Sequence, residues 1–190
     1  IFVGKYFVMK SFILAIIISL AAVSCGSQPK SVALAQHVTQ PTQYTFRVKA
    51  EYPHLRTSYT QGLQFIDGEL WEGTGEYGRS QLLRTDLASG KVLQSKKLSK
   101  EEFGEGITVL GDKIYQLTWL NGKLHIYDKA TLRHLATHTY KGEGWGLTSD
   151  GKKLYMSDGT HAIRVLDPET LKEERRFGVK IEGRSLQQLN

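Results

Sequence analysis

Cysteine is all but missing from this sequence. Cys25 is the only one in 190 residues, which rules out an intrachain disulfide and a cysteine-based zinc site. Basic clusters are missing as well. The formal net charge is +6, but Lys5 and Lys10 are the only charges before residue 25, which leaves 23 basic against 19 acidic residues in the remainder. Such a surface is mildly basic without a Lys/Arg block, so nucleic acid is not implied as a partner. No stretch carries a helical hydrophobic period, and no apolar run reaches the about 20 residues that a membrane-spanning helix needs. Nor is there a nucleophile elbow or a fixed Ser/His/Asp spacing. What is present is the length of one ordinary domain, with 40% hydrophobic residues, enough to bury a core.

The N-terminus reads as a targeting segment. Met9-Lys10 makes a short basic start, with residues 1–8 upstream of it, and Phe12 to Val23 is almost wholly apolar. That length suits the core of a signal peptide over residues 1–24. Ala-Val-Ser-Cys at 22–25 resembles a bacterial lipoprotein lipobox, with Ala22 where leucine is usual. The expectation is an exported protein, lipidated on Cys25 and anchored to the bacterial cell envelope on a periplasmic or outer-membrane face. Residues 25–43, rich in Ser, Gln, Pro and Thr, read as a flexible tether. Residues 44–190 hold the folded part.

That part repeats itself. Gly62-Leu63, Gly106-Ile107 and Gly146-Leu147 each open a unit, 44 and then 40 residues apart. Leu70, Ile114 and Leu154 stand eight positions on from those glycines, just after Asp67-Gly68, Gly111-Asp112 and Asp150-Gly151 turns. Further along, Asp86, Asp128 and Asp167 close the apolar strands 81–85, 124–127 and 162–166 and open a second turn. A fourth strand follows at 91–96, 133–138 and 173–177. Four short strands per unit in a fixed order are the mark of β-propeller blades. The fold expected is all-β, with three complete blades. Tyr44 to Ala50 alternates like a strand and is expected to supply the outer strand of the closing blade, whose other strands come from the far end of the chain. The chain stops at Asn190 as a fourth blade should begin, so it reads as truncated.

Two tempting motifs fail on context. Gly73, Gly75 and Gly78 spell the dinucleotide fingerprint, but a strand follows where that motif requires a helix. His134 and His138 have the spacing of a helical metal pair but fall in a strand, which separates them by roughly 13 Å. More informative are the residues just before each opening glycine: Gln61, Glu105, Trp145 and, by register, Asn190. In a propeller the first strand of every blade lines the central channel, so these positions converge on one pocket. Glu105 has glycine on both sides, which leaves its carboxylate sterically open. Tyr59, Phe103 and Trp119 add aromatic walls. Glu143, also between glycines, reads as a solvated turn residue.

Here the residues resemble a known family. Y-T-Q-G-L (59–63), E-G-T-G-E-Y-G-R-S (72–80), F-G-E-G-I-T (103–108), Q-L-T-W (116–119), G-W-G-L-T (144–148) and M-S-D-G (156–159) are similar, in order and spacing, to the plant-type glutaminyl cyclases. The resemblance implies a five-bladed propeller, a monomer when complete, that converts the N-terminal glutamine of peptides or proteins to pyroglutamate with release of ammonia. It implies Glu105 as catalytic acid/base and Gln61, Trp119, Trp145 and Asn190 as the substrate pocket, with Tyr59 where the family usually has phenylalanine. It implies no metal and no cofactor. The family carries a further tryptophan and a lysine beyond the equivalent of Asn190, which this sequence does not reach.

The chemistry suits the residues. The substrate amine must be neutral to attack its own side-chain amide, and the departing nitrogen must be protonated. One carboxylate can perform both transfers in turn. Aromatic walls fold the glutamine side chain toward its ring-closing conformer and favour an ammonium before deprotonation. Two rivals remain at this stage. One is a non-catalytic surface propeller that binds peptides or glycans. The other is a calcium-dependent propeller hydrolase, which would want acidic channel residues where Gln61 and Trp145 stand.

Overall fold

The computed structural model describes residues 42–190. The expected signal segment, Cys25 and nearly all of the tether lie outside the described residues. By its internal contacts the chain divides into Ile1–Phe46 and Arg47–Asn190, and the second unit carries the architecture.

Every regular element among the described residues is a strand. The first sheet runs β1 (Thr60–Ile66), β2 (Glu69–Thr74), β3 (Gln81–Thr85) and β4 (Val92–Lys97). The second runs β5 (Gly104–Leu110), β6 (Lys113–Thr118), β7 (Lys123–Asp128) and β8 (His134–Thr139). The third runs β9 (Leu147–Ser149), β10 (Leu154–Ser157), β11 (Ala162–Leu166) and β12 (Glu173–Gly178). A short hairpin, β13 (Lys180–Ile181) with β14 (Arg184–Ser185), then leads toward Asn190. Each of the three large sheets is an antiparallel meander with its strands in chain order. Two-residue turns join first strand to second in the first two sheets, where Asp67, Gly68 and Gly111 adopt the left-handed conformation such turns require, and a four-residue turn with Gly151 at positive φ does so in the third.

The second turn of each unit has one construction. The side chains of Asp86, Asp128 and Asp167 accept backbone N–H groups from Ser89, Thr131 and Thr170 at 2.8–2.9 Å. Their carbonyls accept from Gly90, Leu132 and Leu171, all at positive φ. These aspartates recur because their turns recur.

In the second sheet burial falls from the first strand to the last, and in all three sheets the fourth strand is largely exposed. β5 is buried along nearly its whole length, whereas β12 is largely exposed. Two apolar clusters fill the gaps between successive sheets. Trp71, Leu82, Ile107, Val109 and Ile114 join the first to the second. Tyr115, Leu117, Leu147, Leu154 and Met156 join the second to the third. A sheet covered on both faces needs apolar residues on both, so strict alternation is lost in the inner strands.

The opening glycines are where successive first strands touch. A Cβ on Gly62 would sit 2.5 Å from the Ile107 amide nitrogen, and one on Gly106 would sit 2.5 Å from the Trp145 carbonyl oxygen. A Cβ on Gly146 would meet the Asn190 carbonyl carbon at 2.8 Å. Only hydrogen fits at these approaches, which is why glycine marks the start of each unit.

One expectation is not met among the described residues. Tyr44 to Ala50 forms no strand, and its residues are exposed. Its alternation is genuine, but a strand exists only where a neighbouring ladder takes up its N–H and C=O groups. None of the sheets among the described residues offers it one.

Candidate active site

The backbone aims the candidate residues. In the first two of the three sheets the opening segment contains an irregularity in the ladder: register shifts between Thr60 and Gly62 in the β1–β2 pairing, and between Gly104 and Ile107 in the β5–β6 pairing. Gln61 and Glu105 occupy these shifts. A bulge takes a residue out of the alternation and redirects its side chain. Trp145 lies just before β9 and is held by its N–H to the Ser157 carbonyl at 3.0 Å.

The result is a pocket of about 520 Å³ lined by Tyr59, Gln61, Glu76, Phe103, Glu105, Trp119, Trp145 and Asn190. The residues singled out in the folded part of the sequence are thus brought together from three sheets and the chain end. Gln61 and Asn190 also border an adjoining cavity of about 430 Å³ along the first strands.

The walls are made of edge-to-face aromatic rings. Phe103 sits 5.7 Å from Trp119 and 6.3 Å from Tyr59, centroid to centroid, at interplanar angles of 67° and 89°. Tyr77, which sequence reasoning passed over, adds a third edge contact to Phe103 at 5.5 Å. Trp145 lies against Gly159, where a Cβ would stand 2.8 Å from its ring. The M-S-D-G motif therefore supplies the floor on which that indole rests. Equivalent backbone bonds set the walls: Gly75 N–H to the Tyr59 carbonyl at 2.8 Å, and Trp119 N–H to the Phe103 carbonyl at 2.9 Å. Behind Tyr59, the buried Glu72 carboxylate accepts from Thr60 at 2.5 Å and Ser58 at 3.3 Å and pairs with His54 at 3.1 Å, which ties down the chain entering β1.

Glu105 is 7% exposed. Its carboxyl is pushed from 4.5 up to about 8, first by burial and then by the negative charge of Glu143. Near neutrality it is therefore mostly protonated, and it gives or takes a proton at small cost.

Glu143 corrects the sequence reading most sharply. It is half-buried, and one oxygen, Oε2, accepts the indole N–H of Trp119 at 2.7 Å and that of Trp145 at 2.8 Å. A turn residue with glycine neighbours looked solvated because its partners lie 24 positions upstream and two downstream. The G-E-G pattern shared by residues 104–106 and 142–144 was the one available signal. Glu76, at the rim, was also missed. It sits at positive φ and pairs with Arg79 at 2.7 Å.

Comparison with known proteins follows the same lines. The family described as "Glutamine cyclotransferase" matches residues 16–190. The chain is 40% identical over 146 residues to the glutaminyl-peptide cyclotransferase of Arabidopsis thaliana, an alignment that covers 75% of this chain and 45% of that protein. The crystal structure of Myxococcus xanthus glutaminyl cyclase superposes with a TM-score of 0.68 at 31% identity, covering 74% of this chain and 60% of that one. The Neurospora crassa Pan2 WD40 domain, at 12% identity, a TM-score of 0.53 and coverage of 63% and 36%, shares the fold alone. The chain thus spans less than half the length of the plant relative. The propeller-like sheets, the converging pocket and these matches together show that this chain belongs to the glutamine cyclotransferase family.

Proposed function

We propose that the protein is a glutaminyl-peptide cyclotransferase in which Glu105 is the general acid/base. The observation that carries this reading is the nearly buried Glu105 carboxyl, with a pKa of about 8, in a pocket walled by Tyr59, Phe103, Trp119 and Trp145. A peptide α-amino group titrates at about 7.7–8.0. Donor and acceptor are therefore matched, and a proton passes between them with little penalty.

The reaction balances through that one group. The α-amine attacks the side-chain amide carbon and gives its proton to the Glu105 carboxylate as the new C–N bond forms. Glu105 returns the proton to the amide nitrogen as the old C–N bond breaks, and ammonia leaves. The proton count on the enzyme is unchanged over the cycle. The aromatic rings hold the folded side chain close to the amine, which raises its effective concentration. Gln61 and Asn190 offer amide groups for the peptide and the reacting carbonyl. The scheme uses no metal or cofactor.

Five blades closed round the channel belong to the same proposal, as does a monomeric enzyme, and so does export with a lipid anchor on Cys25. The substrates are peptides or proteins that begin with glutamine.

The test is to incubate the protein with a glutamine-initiated peptide and with its N-acetylated twin. Ammonia release and the matching mass loss are expected only from the free amine. Binding of the first peptide without ammonia release favours the non-catalytic binder. Equal release from both peptides removes the amine from the mechanism and overturns the proposal.

A further inference from the structure

The two tryptophans of the pocket come from different sheets, Trp119 just after β6 and Trp145 just before β9, and nothing covalent relates their indoles. One carboxylate oxygen does. Glu143 Oε2 lies 2.7 Å from Trp119 Nε1 and 2.8 Å from Trp145 Nε1. An indole N–H has no acceptor role, and an ionised carboxylate oxygen has two lone pairs, so one acceptor satisfies two donors. Bonds to a charged acceptor are about twice as strong as neutral ones. The loop that bears Glu143 is itself pinned. Gly144 N–H donates to the Trp119 carbonyl at 3.0 Å, and the Tyr140 hydroxyl donates to the Thr118 carbonyl at 2.5 Å beneath it.

We infer that Glu143 is a positioning residue, whose single oxygen holds Trp119 and Trp145 as a matched pair of walls so that the pocket is shaped before a peptide enters. This deepens the proposed function and rests on it only where peptides are involved. The same carboxylate is the charged neighbour that raises the Glu105 pKa beyond what burial does. Holding the walls and tuning the acid/base therefore fall to one side chain, through separable properties: an acceptor oxygen and a negative charge.

Three replacements divide those properties. Glu143→Gln keeps an acceptor oxygen at the same reach and loses the charge. Glu143→Asp keeps the charge and withdraws the oxygen by one methylene. Glu143→Ala loses both. The protein has three tryptophans, and the third, Trp71, has a buried Nε1 with no hydrogen-bond partner among the described residues, so it serves as an internal reference. In 1H–15N spectra, Glu143→Ala should move the Trp119 and Trp145 indole signals together and leave Trp71 in place. Glu143→Gln should keep both near their original positions, and Glu143→Asp should lose at least one. For a glutamine-initiated peptide, Glu143→Ala should raise the Kd about 10-fold, since two bulky side chains must then be ordered on binding. Glu143→Gln should restore affinity to within about threefold.

The inference is overturned if Glu143→Ala moves neither signal or only one, or if Gln restores the signals no better than Ala. Should Glu143→Ala fail to fold, the Gln and Asp spectra decide alone, and an Asp variant with both signals unmoved overturns it. A protein that shows the paired indole response but releases no ammonia would retain the clamp and lose the cyclase reading. The two failures are thus distinguishable.

Discussion

Replacing Glu105 with glutamine should change the pH dependence of stability in one direction and over one window. In the folded chain this carboxyl holds its proton up to about 8, against 4.5 for an unperturbed glutamic acid. Between these values the folded state carries more protons than the unfolded state, so this group's contribution is fully present below about 4.5 and is lost as pH rises through about 8. One pH unit corresponds to about 1.4 kcal/mol, which sets a ceiling of about 5 kcal/mol for the whole window. A glutamine has no proton to lose and escapes the penalty. Urea unfolding of the wild type and Glu105→Gln, followed by tryptophan fluorescence from pH 5 to pH 9, should therefore show the variant gaining on the wild type with each step up. Other titrating groups are common to both chains and cancel in the difference. A difference that stays within about 0.5 kcal/mol across the range would refute the burial argument, and one that favours the wild type at alkaline pH would imply an ion pair instead. The same variant should release ammonia from a glutamine-initiated peptide about 10²–10⁴-fold more slowly, the usual weight of general acid–base catalysis. A wild-type rate would remove Glu105 from the mechanism.

Other outcomes follow from neighbouring residues. Glu143→Gln removes the negative charge facing Glu105, so the ionisation that limits activity on the acid side should move to lower pH, while burial keeps it above 4.5; a pH–rate profile that does not move contradicts the coupling. Gly106→Ala places a methyl group 2.5 Å from the Trp145 carbonyl oxygen and 2.6 Å from the Leu147 nitrogen, both backbone atoms, and should cost about 1–3 kcal/mol or more in a urea titration. Gly111→Ala, with open space around it but φ at 62°, should cost about 1 kcal/mol, and an equal loss at both sites would argue against close packing of β5 on β9. Mass spectrometry of membrane-fraction protein should find an acylated Cys25, and an unmodified N-terminus at Gly26 or later would exclude the anchor.

Much of the fold was legible in the linear sequence because its determinants are local. A two-residue turn needs left-handed residues at fixed positions, and Asp67-Gly68 and Gly111-Asp112 announce it wherever they occur. The recurring Asp86, Asp128 and Asp167 do the same for the second turn. Spacing alone therefore located the three four-stranded units, and register then grouped Gln61, Glu105, Trp145 and Asn190. Tyr44 to Ala50 shows the limit of that logic, because alternation states which residues could face a core and says nothing of whether a partner ladder exists.

What the sequence by itself determined was the repeat, the turns and the set of side chains that line one pocket. Only the tertiary structure decided the condition of those side chains. The raised pKa of Glu105 depends on how far surrounding sheets strip away water, and on a charge 38 positions along the chain at Glu143. The bond from Glu143 to Trp119 joins two loops of different units, and neither loop carries a mark of the other. Turn geometry follows from a few consecutive dihedral angles and so is written residue by residue. Burial, electrostatic coupling and shared hydrogen-bond acceptors arise between segments that meet only when the sheets pack, and for these residues only packing could supply them.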